Sequence, residues 1–374
     1  MATKSDLCQL QWNPVDVSSG PALRDHAGTI VGDYLYVHGG QNLAGTSNSV
    51  PLNGFYRIQI SPAVGQWMDL TTADSPTLSQ HACVSFNEQY LIFIGGWTGQ
   101  VRTPSIHTFD TLSQSWLPPA TSPPLLTGFP DGAGLSAHSA VPMKSDGSFS
   151  ATFIVGREGS LRIQRKAGNV YLLYGKFSTK KGAQYTYREA NPGIVVSSRS
   201  YHTSSVLSPT SVMDIGGRSS NPIEVISWAR SSTNFGSDLP GPLQCPPTQC
   251  DLVSRLLQEM RMSKVSMRKS FVNKEICLRG HAAIPGDEGV FVTAGEGFNA
   301  LKHGPLEDAY VVDFSKGRIK EGLQYVGRLH NPRAYAVYGV HATDATAWMH
   351  GGLGPGGRVC KTLLQLGDLQ AEDE

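Results

Sequence analysis

No stretch of this chain approaches the roughly 18 consecutive apolar residues that a membrane-spanning helix requires. An excess of one charge is missing too. The 374 residues carry 31 Lys and Arg against 30 Asp and Glu, a formal net charge of +1, so no global field draws the chain to nucleic acid or to a lipid surface. Cysteine is scarce and scattered: Cys8, Cys83, Cys245, Cys250, Cys277 and Cys360 form no disulfide framework in a chain this long. Met1–Trp12 lacks the basic start and apolar core of a secretory signal. These absences predict a soluble intracellular protein of a reducing compartment, cytoplasmic or nuclear. Catalytic signatures are missing as well, with no Gly-x-Ser-x-Gly elbow and no His-Glu-x-x-His. Gly354-Pro355-Gly356-Gly357 and Gly295-Glu296-Gly297 neither open a helix nor carry Lys-Ser/Thr, so neither is a phosphate cradle. Cys245 and Cys250 are not a Cys-x-x-Cys pair and no second pair follows, which excludes the usual zinc patterns. No metal and no cofactor are expected.

What the chain has instead is glycine, 41 residues of it, and proline, 23 residues. The glycines are placed with a rule. Gln89-Tyr90-Leu91-Ile92-Phe93-Ile94-Gly95-Gly96-Trp97 is a short β-branched and aromatic run ended by a turn signal, hence one buried strand and a turn. The run recurs before Gly39-Gly40, Gly216-Gly217 and Gly351-Gly352. Looser copies end at Gly156-Arg157 and Gly295-Glu296. Upstream of each run stands a His or Tyr: His26, His81, His138, His202, His281 and Tyr335. Downstream comes a third strand, and then a closing aromatic: Trp67, Trp116, Tyr185 or Tyr187, and Tyr325. Trp228 and Phe271 are the candidates in the fourth unit.

Four strands repeating at roughly 50 residues are the signature of a propeller blade. We count six, over residues 20–70, 75–120, 134–190, 197–278, 279–330 and 331–366. The sixth has three strands and no closing Trp. Residues 5–13, with Trp12, supply both, so the N-terminal strand is expected to close the last blade and remove the open edges. The architecture expected is all-β, one propeller over 1–366, followed by an acidic tail at 367–374. An insertion over 229–278 lies in the fourth blade. In it Leu252, Val253, Leu256, Leu257 and Met260 mark one face of a short helix. The segment from Arg255 to Arg279 is basic, with Arg261, Lys264, Arg268, Lys269 and Lys274 set against Glu259 and Glu275.

The Gly-Gly pairs, the downstream aromatics and the closing Trp residues resemble the kelch-repeat family along essentially the whole chain. One residue per blade at the same place, as with the histidines, is a packing position, not a metal site. Two blades break the Gly-Gly rule by placing charge at the rim: Arg157-Glu158 and Glu296. Arg162 adds to a local basic patch in blade three, where an acidic partner would dock. Val155–Lys166 and the insertion helix are similar to those of a small family member built of the propeller alone. That resemblance implies a non-enzymatic interaction module or adaptor, a monomer, with a cyclin of the A1 type as partner. Two other kelch activities are weighed. A substrate receptor of a cullin-type ubiquitin ligase would use Arg157, Arg199 and Arg218 to grip a peptide. A sugar-epimerase-like enzyme would need Arg157, Glu158 and Glu296 in the central pocket. For partner binding the candidates are therefore Arg157, Glu158, Arg162, Arg199, Arg218, Glu296, Leu256 and Met260.

Overall fold

The computed structural model describes residues 10–17, 20–42, 50–146, 149–156, 167–178, 182–189, 196–197, 199–208, 211–217, 223–227, 248–262, 278–293, 295–297, 304–315 and 318–368. Its strands form six separate sheets, antiparallel except for one short parallel pair in the third, arranged as the blades of a propeller. The first strand, β1 (Leu10–Pro14), belongs to the last blade. Blade one is β2 (Ala27–Val31), β3 (Tyr34–His38), β4 (Phe55–Gln59) and β5 (Met68–Asp69), paired in that order. Blade two repeats it with β6 (Ala82–Phe86), β7 (Tyr90–Ile94), β8 (Ile106–Asp110) and β9 (Ser115–Trp116). The Gly-Gly runs are thus second strands. The four side chains from Leu91 to Ile94 are all buried, because blades pack on both faces of the strand.

Blade three is larger. A short β10 (Leu126–Thr127) runs parallel to the outer strand, beyond β11 (Ser139–Asp146), β12 (Phe149–Gly156), β13 (Ala167–Ser178) and β14 (Gly182–Glu189); β15 (Val196–Ser197) pairs with the start of β13. Blade four has β16 (His202–Ser208), β17 (Ser211–Gly216) and β18 (Ile223–Ser227) among the described residues. Then comes α1 (Asp251–Met262). Blade five is β19 (Ala282–Gly286), β20 (Gly289–Thr293), β21 (Asp308–Ser315) and β22 (Arg318–Arg328).

Blade six is β23 (Val337–Val340), β24 (Ala347–His350) and β25 (Leu363–Asp368), and β1 completes it by pairing Trp12 opposite Leu366. The expected closure by the N-terminal strand is what the structure shows. Trp12 is 1 % exposed and its indole Nε1 donates to Thr293 Oγ1 of blade five at 3.4 Å. The other closing tryptophans reach back in the same way. Trp67 of blade one packs on His350 of blade six, with ring centroids 4.5 Å apart, and Trp116 of blade two packs on His38 and Phe55 of blade one. Trp67 and Trp116 thus touch the preceding blade next to its Gly-Gly turn, and Trp12 touches blade five just before Gly295-Glu296.

The helix α1 lays Val253, Leu256 and Leu257 on blades five and six. They share a cluster with Leu10, Trp12, Ile284, Phe291, Leu364 and Leu366. A side chain at Gly286 would collide with Val253, and one at Gly289 with Leu257, so the β19–β20 turn is built to receive the helix. Its outward residues pair with the propeller: Arg261 with Asp313 at 2.8 Å and Arg255 with Asp368.

Candidate binding site at the channel mouth

The inner strands surround a central channel, and its mouth is formed where each blade begins. The residue before each first strand's histidine takes a left-handed conformation: Asp25, Gln80, Ala137, Tyr201, Gly280 and Tyr335 all have φ between 52° and 61°. Five of the six are not glycine, so the conformation costs energy and needs support. A closed backbone ring supplies it. The N–H of Gln80 donates to Asp25 O (2.8 Å), Ala137 to Gln80 (2.7 Å), Tyr201 to Ala137 (2.9 Å), Gly280 to Tyr201 (2.9 Å), Tyr335 to Gly280 (2.8 Å) and Asp25 to Tyr335 (3.2 Å). Tyr335 therefore corresponds to Asp25, and the sixth blade has Ala336 where the others have histidine. The sequence alignment of Tyr335 with the histidines is corrected by this ring.

The five histidines are packing residues. A Cβ on Gly40 would lie 2.6 Å from His26 Cβ, and one on Gly351 of the neighbouring blade 2.8 Å from His26 Cε1. Each histidine fits between the last glycine of its own blade and the first glycine of the blade before; Gly96 and Gly39 flank His81 in the same way. Both glycines also sit at positive φ, 66° at Gly39 and 84° at Gly40, which a side chain would strain. The outer ring nitrogen takes a partner from the preceding blade: His350 for His26, His38 for His81 (3.0 Å), Ser139 for His202 (2.9 Å) and Thr203 for His281 (2.8 Å). Burial holds all five below the usual imidazole range, at about 3 for His202 and about 4 for His138 and His281. They are neutral at neutral pH. Among the described residues, no three His, Cys, Asp or Glu converge as a metal site.

What differs from blade to blade is the ring residue and its neighbours, and there the chemistry collects. Arg24 pairs with Asp25. Arg279, at the place corresponding to Arg24, pairs with Glu296 at 3.2 Å, and Tyr335 donates its hydroxyl to the same Glu296 Oε2 at 2.7 Å. The Tyr201 and Tyr335 rings meet edge to face, with centroids 4.8 Å apart. Arg102 reaches in from blade two to Ser136 at 2.8 Å. Burial pushes the Asp25 carboxyl up to about 6; Arg24 opposes the shift and Glu296 adds to it. Blades one, four, five and six thus contribute to one polar and aromatic cluster.

The sequence candidates fall in three places. Glu296 stands in this cluster. Arg199 is 1 % exposed, donating to Gly216 O at 2.7 Å and pairing with Glu224 at 3.0 Å, so its guanidinium is held inside blade four. Leu256 is buried against blades five and six, with Met260 partly buried beside it. Arg157, Glu158, Arg162 and Arg218 lie outside the described residues, as do Trp228 and Phe271. Asp25, Tyr201, Tyr335, Arg24 and Arg279 escaped sequence reasoning as site residues. The signal that marks them is change at a fixed place: Asp, Gln, Ala, Tyr, Gly and Tyr follow one another just before the repeat's histidine or its replacement.

No family model matches the chain. Among curated proteins, kelch domain-containing protein 9 of Mus musculus is 32 % identical over 196 residues, 52 % of this chain and 51 % of that protein. The Homo sapiens protein of the same name is 29 % identical over 200 residues, with 52 % and 51 % covered. The chain thus matches about half the length of these curated relatives. The solved structure of YjhT superposes with a TM-score of 0.53 over 96 % of this chain and 98 % of that one, at 13 % identity. That likeness concerns the fold alone.

Proposed function

Because this chain is a kelch-repeat propeller, we propose that it is a protein-binding module whose docking face is the one carrying the channel mouth. The observation that supports this is the convergence of Arg24, Asp25, Tyr201, Arg279, Glu296 and Tyr335 from four blades onto one rigid ring. A rigid scaffold that gathers variable side chains at its loops is how binding faces are built. Tyrosine and arginine are the residue types that carry most interface energy. Arg157, Glu158 and Arg218 are added as partner contacts from sequence position alone: Arg157 and Arg218 directly follow a blade's glycine as Glu296 follows Gly295, and Glu158 is next to Arg157. Arg162 is carried as a partner contact from its place in the sequence alone, and α1, seated on the β19–β20 turn at the end of blade five away from the mouth, lies off this face. A cyclin of the A1 type is the partner implied by the family resemblance. The test is capture of purified cyclin A1 by the full chain. Arg279→Gln and Arg157→Glu, with unchanged circular dichroism, are expected to weaken capture about tenfold or more, as a lost central charged contact does. Capture equal to wild type by both variants refutes the assignment of this face.

One observation favours a second reading. Asp25 has a carboxyl near 6 and lines the channel beside two tyrosines, the kind of group that acts as a general acid or base at neutral pH. An enzyme of this kind would turn over a small molecule with no protein partner present, and would lose that turnover with Asp25→Asn.

A further inference from the structure

Below the mouth lies a cavity of about 310 Å³, room for about ten waters at roughly 30 Å³ each. Among the described residues its walls are small or hydroxylated, including Thr29, Ser139, Thr203 and Ser204, and no lysine or arginine lines it. Its histidines are neutral. Against that background stands Asp25, whose side chain is 2 % exposed. Arg24 holds its Oδ2 and the Tyr201 hydroxyl is also close enough to favour the charged carboxyl, while Oδ1 has no hydrogen-bond partner. A second carboxyl, Asp214, stands behind the wall, accepting from Ser204 at 2.5 Å while its own Oδ2 has no partner. A buried carboxylate oxygen without a donor is costly. The missing element is therefore a compact donor carrying positive charge, and the rings of Tyr201 and Tyr335 add faces that attract cations.

We propose that the central channel binds a protonated primary amine, with its ammonium on Asp25 Oδ1 and its remaining protons shared with the channel hydroxyls. The groups facing Asp25 are compatible with it. Arg24 is committed to the other oxygen, Arg279 is committed to Glu296, and Glu296, Tyr201 and Tyr335 repel no cation. The site shares Asp25, Tyr201 and Tyr335 with the proposed docking face, but amine binding is read without a protein partner, so its failure and the failure of partner capture are distinguishable. The amine is either a free small molecule or a lysine side chain, and the experiment separates the two.

The test is calorimetric titration of the full chain at pH 7.5 with n-butylamine, with the capped peptide Gly-Lys-Gly and with n-butanol. Saturable binding of an amine and none of n-butanol is expected. A tighter peptide assigns the site to a lysine; tighter butylamine assigns it to a free amine. Asp25→Asn should weaken binding at least tenfold. Because burial already disfavours the charge, that variant should melt at or above wild type. Should it fail to fold, the wild type carries the test: affinity must rise about tenfold from pH 5 to pH 7.5 as Asp25 ionises. Absence of amine binding, equal binding of n-butanol, an unaffected Asp25→Asn or a pH-independent affinity overturns the proposal.

Discussion

At the scale of single residues, the interior is held by uncharged titratable groups, and this has a signed consequence. His26, His81, His138, His202 and His281 are pulled down by burial. Their stability is present above the ordinary value of 6.5 and is lost as pH falls toward 3–4. Asp214 behaves oppositely. Burial raises it to about 7, with Ser204 and Arg199 opposing and Glu224 assisting. Its stability is complete below the ordinary 3.8 and is lost as pH rises through about 7. Asp214→Asn separates the two trends. Its urea midpoint relative to wild type should be higher at pH 8 than at pH 5, because only the alkaline loss is removed; an equal difference at both pH values contradicts the assignment. The histidines were legible as a repeat position in the sequence, since one per blade implies packing. Their burial between glycines of two blades was not, because those glycines are close in space and far apart in the chain. The same holds for the mouth: the pairing of Glu296 with both Arg279 and Tyr335 joins the neighbouring blades five and six.

At the scale of elements, β1 and α1 both brace the junction of the ring. Strand β1 was legible because the sixth repeat lacked a fourth strand and a tryptophan, and the N-terminal stretch supplied the two together. Its value follows from burial. Trp12→Ala should cost about 3–5 kcal/mol, the usual loss for a buried Trp. Thermal unfolding then shifts down by several degrees, and an unaltered melt contradicts the role of β1. The helix was also legible from its apolar stripe. Where the stripe lands was not. Its destination is set by Gly286 and Gly289, whose missing side chains make room for Val253 and Leu257. It is a tertiary fit between the insertion and the fifth blade, and periodicity reports only that a face exists, not what covers it.

At the scale of the whole molecule, six sheets and one backbone ring around the mouth form a single closed structure. Closure leaves one polar and aromatic face at the channel mouth, presented rigidly, and the proposed partner contact and the amine site both depend on that rigidity. The most direct test is hydrogen–deuterium exchange of the intact chain, reading the peptides that contain Leu10–Pro14 and Leu363–Asp368. If the ring is closed by β1, the amides of both strands exchange together and only by global unfolding, on the slow timescale of the core. If Leu10–Pro14 exchanges within seconds while Leu363–Asp368 stays protected, the ring is open and the account fails.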